Sequence, residues 1–149
     1  MNRFKITKNF YLDEFIDPIT YRKFGRQSQR YIRPEIIKAT QCLRELVGLP
    51  ITVNNWAAGG SYKESGLRNF NTSTGASYSM HKFGGAADLK IGNLTSFEMV
   101  EILKNHEEVI MDLGIRRYEN PEFTKGRNRS WLHIDSAWTD CNGLLMVNP

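Results

Sequence analysis

Ser79-Met80-His81-Lys82-Phe83-Gly84-Gly85-Ala86-Ala87-Asp88 and, further along, Trp131-Leu132-His133-Ile134-Asp135 are the two stretches on which this sequence turns. A structural zinc site is usually closed by four protein ligands, most often cysteines. A hydrolytic one uses three and leaves the fourth position to water. His81, Asp88 and His133 would supply those three, so the residue types point to an open zinc site of a hydrolase. Gly84 and Gly85 allow the sharp turn that folds His81 back toward Asp88.

Side-chain alternation sharpens this reading. A strand through residues 130–138 puts Trp131, His133, Asp135 and Ala137 on one face and Leu132, Ile134, Ser136 and Trp138 on the other. A strand over residues 85–91 likewise groups Ala86, Asp88 and Lys90, with the small Ala86 leaving room for an ion beside Asp88. Asp88 and His133 on two strands, with His81 on a loop rim, can converge on one centre held by rigid elements. His106, the remaining histidine, falls near a helix C-terminus, where a positive charge suits the helix dipole.

Outward from these stretches, Asn9 to Ile16 reads as a short capped helix ended by Pro18, and residues 20–32 as a basic loop or irregular helix. Pro34 opens the clearest helix, carried by Ile36, Ile37, Leu43, Leu46 and Val47 and stopped by Gly48 and Pro50. Ile51–Trp56 has strand character, and residues 57–80, rich in Gly, Ser, Asn and Thr, read as a long functional loop. Thr95 and Glu98 form a capping-box pattern for a helix to about His106 that packs through Phe97, Val100 and Leu103. Residues 114–118 read as a strand, and Asn142-Gly143 as a turn before another over 144–147. With no regular βαβ repeat, the expected class is α+β: a small, mainly antiparallel sheet flanked by helices. The 149 residues suit one domain, divided into an N-terminal helix and extension (1–32) and a catalytic core (33–149).

Composition narrows the functional classes. Hydrophobic content of 40% and charged content of 24% are ordinary for a globular protein. No run approaches the length of a membrane span, and Met1–Lys8 lacks the apolar core of a signal peptide, which predicts synthesis in the cytoplasm. Two distant cysteines, Cys42 and Cys141, suit a reducing compartment and take no catalytic role. The net charge of +4 comes from Arg22, Lys23, Arg26, Arg30 and Arg33, and again from Arg116, Arg117, Lys125, Arg127 and Arg129. Such a balance favours an anionic partner or a solvated basic surface. Without a recognition motif or an interleaved basic–aromatic stripe, no specific nucleic-acid partner is expected.

The stretch Ser79–Asp88 fits the pattern S-x-H-x-x-G-x-A-x-D, and in that it resembles the first metal motif of the zinc D-Ala-D-Ala metallopeptidases. These include D-alanyl-D-alanine carboxypeptidases and dipeptidases and phage endolysins that cut L-alanyl-D-glutamate bonds, and the hedgehog signalling domain shares their fold. Trp131–Asp135 resembles the second motif, an aromatic-containing strand ending in H-x-D. The likeness extends to Ile51–Trp56 and to Ser65-Gly66-Leu67-Arg68, covering most of residues 50–138. It implies a hedgehog-like fold with Zn²⁺ on His81, Asp88 and His133. It also implies that Arg68 holds a substrate carbonyl or carboxylate, a task suited to a planar, always-charged guanidinium.

The sequence departs from the family at the base. Many relatives carry Glu or Asp three residues before the second histidine, where this chain has Ser130. Asp135, on the face of His133, is the nearest candidate, with the competing role of orienting a metal-bound histidine. Glu119 and Glu122 in the preceding segment are alternatives. The implied function is a zinc peptidase, carboxypeptidase or endopeptidase, acting on peptidoglycan stem peptides or cross-links. A monomer resembling a phage lysin, reaching the wall on release, is expected. The competing reading is a non-enzymatic zinc-binding module in which the metal stabilises an interaction surface.

Overall fold

In the computed structural model, which describes residues 2–149, five strands form one sheet. They are β1 (Ile51–Thr52), β2 (Ala86–Ile91), β3 (Arg117–Glu119), β4 (Leu132–Asp135) and β5 (Leu145–Val147), in the order β1-β2-β4-β3-β5. All neighbours are antiparallel except β3 and β5. Four helices accompany them: α1 (Pro18–Phe24), α2 (Pro34–Val47), α3 (Ser96–Asn105) and α4 (Glu107–Asp112). The fold is thus α+β with a mainly antiparallel sheet.

Alternation along the two central strands divides core from site. Ala87, Leu89 and Ile91 of β2 and Leu132 and Ile134 of β4 are fully or almost fully buried on one side. Against them pack Ile36, Ala39 and Leu43 of α2, Met99 and Leu103 of α3, and Ile110 of α4. Phe10, Leu12, Phe15 and Ile16 join the same core, so the N-terminal segment is built into it. The opposite side of β2 and β4 carries Asp88, His133 and Asp135. The register pairs Asp88 with His133 and Ala86 with Asp135.

Helix boundaries follow local chemistry. Pro34 occupies the first turn of α2, and Gly48, at φ 70°, closes it with its N–H on the Arg44 carbonyl. Thr95 and Glu98 cap α3 reciprocally. The buried stripe of α3 is Ser96, Met99, Val100 and Leu103. Phe97 lies beside that stripe, is exposed, and stacks under Lys125 instead of packing into the core.

Several sequence expectations are corrected. Pro18 begins a helix rather than ending one. Its missing N–H falls where helix donors are unpaired anyway, and the Asp17 carboxylate caps the N–H groups of Ile19 and Thr20. The segment before it holds a 3₁₀ turn at Leu12–Glu14 and no α-helix. The strand expected through Trp56 stops at Thr52, because Asn54 and Asn55 turn their N–H groups to the carbonyls of Glu14 and Tyr62. β4 is shorter than residues 130–138, and a further helix, α4, follows α3 after a break at His106. Among the described residues no helix is long and apolar enough to cross a membrane.

Candidate metal centre

Three separate pieces of chain deliver the expected ligands to one point. His81 lies in a 3₁₀ turn, Met80–Phe83, that Gly84 closes at φ 66°. Asp88 and His133 face each other across β2 and β4. His81 Nε2 is 3.2 Å from Asp88 Oδ1 and 3.3 Å from His133 Nδ1, and His133 Nδ1 is 2.9 Å from Asp88 Oδ1. His81 is 1% and His133 6% exposed, so water reaches these atoms only from the cleft. Together the three residues form a buried group able to hold a metal ion.

Surrounding hydrogen bonds assign the tautomers and aim the lone pairs. His81 Nδ1–H donates to the Gly66 carbonyl at 2.8 Å, so in the neutral ring it is Nε2 that carries the lone pair. His133 Nε2–H donates to Asp135 Oδ2 at 3.2 Å, so in the neutral ring it is Nδ1 that carries the lone pair. Arg68 Nη2 donates to Asp88 Oδ2 at 3.0 Å, so Oδ1 is the oxygen that faces the histidines. Arg68 is itself held by the Glu64 carbonyl at 2.6 Å. With both rings neutral, two nitrogen lone pairs and a carboxylate oxygen converge, and the charge that satisfies them is positive, whether a metal ion or a proton.

The electrostatics favour the same positive charge. Burial disfavours the Asp88 carboxylate, yet the two histidines override it and hold its pKa well below the ordinary value. Burial likewise opposes charge on His133, but hydrogen bonds to Asp135 and Asp88 win and push it up to about 10. Asp135 is brought down to about 2 against its burial, by His133, Arg117 and the Ala137 N–H. The pocket is built to stabilise positive charge at its centre.

Asp135 is fully occupied. Arg117 grips it with Nε at 2.8 Å and Nη2 at 3.0 Å, and the Ala137 N–H adds a contact at 3.0 Å. Arg117, read from sequence as part of a basic surface, is thus a partner of the site. The sequence predicts strands over 114–118 and 130–138, but it carries no local sign that the two pair. Lys90, on the face of Asp88, is buried with its ammonium on the Val53 and Asp88 carbonyls, Ser65 Oγ and the Tyr62 ring. Burial lowers its pKa to about 8.

The other candidates are spread out. Glu119 reaches within 3.9 Å of His133 Nδ1. Glu122 is exposed and paired with Lys125 at 2.6 Å, away from the cleft. Ser130 lines a separate hollow with Thr95 and Arg129. His106 lies at the end of α3, and both cysteines are free thiols, Cys42 half-buried and Cys141 exposed. The ligands sit in a cleft of about 390 Å³ whose walls include Arg68, Tyr78, Ser79, Glu119 and Trp131. A larger apolar groove of about 500 Å³, edged by Phe24, Tyr31, Phe70 and Phe83, adjoins it and shares Arg68 as a wall. No family model matches the chain, and no curated protein or solved structure shows significant similarity to it.

Proposed function

We propose that this chain is a zinc-dependent peptidase that hydrolyses peptidoglycan stem peptides or their cross-links. The observation that carries the reading is the open set of three donors at the floor of a cleft. Two imidazole nitrogens and one carboxylate oxygen suit zinc, whereas calcium and magnesium favour all-oxygen sites. Tetrahedral zinc, with bonds of about 2.0–2.1 Å, spaces its ligands about 3.3 Å apart. The three donor separations here run from 2.9 to 3.3 Å. His81, Asp88 and His133 would hold such an ion, and a three-ligand set would leave the fourth position to water or substrate.

Bound zinc would supply a Lewis acid and a water of lowered pKa. The chain's own residues supply the rest. Asp135 and the Gly66 carbonyl hold the two imidazoles, and Arg68 holds Asp88 with part of its guanidinium still lining the cleft, where it can meet a substrate oxygen. The likeness of Ser79–Asp88 and Trp131–Asp135 to the D-Ala-D-Ala metallopeptidases supports a hedgehog-like fold and a cell-wall peptide as substrate. The basic surface formed by Arg22, Lys23, Arg26, Arg30 and Arg33, all exposed, suits an anionic wall.

The test is mass spectrometry of muropeptides after digestion of purified peptidoglycan, with and without chelator. New peptide ends that chelator abolishes and added zinc restores are expected, and their masses name the bond. Intact muropeptides after incubation with the zinc-loaded protein would reject the peptidase in favour of a non-enzymatic zinc-binding module.

A further inference from the structure

Amide hydrolysis needs a group that takes a proton from the attacking water and returns it to the leaving nitrogen. Three other carboxylates are accounted for. Asp88 is a ligand with its second oxygen on Arg68. Both oxygens of Asp135 are taken by Arg117, the Ala137 N–H and His133. Glu122 is turned outward to Lys125.

Glu119 differs from all three. β3 and β4 pair antiparallel with Arg117 opposite Asp135 and Tyr118 opposite Ile134. Continuing that register by one residue brings Glu119 beside His133. Asp88 flanks His133 on the other side, so the three lie in a row across one face of the sheet. Tyr118, pointing the other way, is buried in the core and fixes the facing of its neighbours. Glu119 Oε1 is 3.9 Å from His133 Nδ1, the nitrogen that faces the other two ligands. Its side chain is 20% exposed, opens into the cleft, and accepts no hydrogen bond from any described side chain. It is the side-chain carboxylate in the cleft with lone pairs to spare.

We propose that Glu119, supplied by the neighbouring strand, is the general base of this site and replaces the acid that Ser130 lacks. The proposal rests on the peptidase reading. In the step it serves, the water oxygen bonds to the carbonyl carbon while one water proton passes to the Glu119 carboxylate. The C–N bond then breaks as Glu119 returns that proton to the nitrogen. The new carboxylic acid gives up the second proton, so the products are a carboxylate and an ammonium.

The experiment compares zinc-loaded wild type with Glu119→Gln and Glu119→Ala, measuring muropeptide turnover and zinc affinity. Binding of acetohydroxamic acid to the cobalt-substituted proteins is read from visible absorption. Both substitutions are expected to lower turnover by about 10²–10⁴-fold while zinc affinity is unchanged. Added formate, a carboxylate small enough for the vacated space, should restore part of the turnover of Glu119→Ala. Hydroxamate binding should also weaken in both, because a hydroxamic acid loses a proton on chelation and Glu119 is there to receive it. Undiminished turnover in Glu119→Gln would overturn the assignment. So would a loss of zinc affinity of about tenfold or more, which would mark Glu119 as a group that holds the ion or orients its histidine. If the wild type turns over no muropeptide, the peptidase reading falls separately. Hydroxamate binding that still depends on Glu119 would then uphold its position as proton acceptor, and equal binding would reject it.

Discussion

At the scale of single residues, the site depends on which atom each side chain keeps free. Asp135 accepts from Arg117 twice, from the Ala137 N–H and from His133 Nε2–H, and through the last of these it points His133 Nδ1 at the ion position. A carboxylate behind a ligating imidazole fixes its tautomer and raises its basicity, and losing such a partner weakens metal binding by about 10–100-fold. Asp135→Asn is therefore expected to lower zinc affinity by that order, measured by competition with a chromophoric chelator. Turnover should recover once zinc is saturating. Turnover that stays abolished with zinc fully bound would instead make Asp135 the base. Arg68 works in parallel on Asp88, since its grip on Oδ2 reserves Oδ1 for the ion.

At the scale of elements, the turn that carries His81 is the joint on which the site hangs. Gly84 closes it at φ 66°, and a Cβ there would collide with the Tyr31 carbonyl oxygen. The Gly84 carbonyl also receives the Arg33 N–H at 2.9 Å, where α2 begins. Gly84→Ala should cost more than about 1 kcal/mol and should also weaken zinc binding, because the turn cannot shift without moving His81. Thr95→Ala provides the contrast: losing the α3 cap should cost about 1 kcal/mol with zinc affinity unchanged. Urea unfolding and zinc titration of both variants check this, and equal zinc affinity in the two would show the turn to be uncoupled from the site.

The same elements show what was legible in the sequence. The alternation in Ala86–Asp88–Lys90 and His133–Asp135 could be read because a strand has a period of two, and it correctly separates Asp88 and His133 from Leu89, Leu132 and Ile134. Pro34 and Gly48 bracketed α2 by local backbone chemistry alone. Pairing between strands leaves no such local trace. Glu119 beside His133 and Arg117 on Asp135 depend on the register of β3 against β4, which residues 117 and 119 do not announce. Residues 57–80 resisted reading for a related reason. That loop is held by distant backbone partners, Leu67 N–H on the Phe15 carbonyl and Arg68 N–H on that of His81, rather than by a repeating pattern of its own.

At the scale of the whole molecule, the proposed ion would join parts of the chain that are otherwise independent. His81 rides on a turn tied to the start of α2, Asp88 lies on β2 and His133 on β4, while the packed core occupies the other side of the sheet. The core does not use the ligands, so the chain is expected to remain folded in chelator. Any ligand bound by the folded state alone nevertheless stabilises it by mass action. At a zinc concentration a thousandfold above Kd this amounts to about 4 kcal/mol. For a chain of this length, each kcal/mol moves Tm by about 2–4 °C, so zinc should raise Tm by roughly 10 °C over the chelated protein. The unfolding transition should stay cooperative in both states, because binding adds to a core that is already complete. Replacing His81, Asp88 or His133 by Ala should remove the zinc-dependent part of the shift, and replacing the distant His106 should leave it intact. Calorimetric scans in excess zinc and in chelator make the comparison. Coincident transitions would show that His81, Asp88 and His133 do not bind zinc in the folded protein.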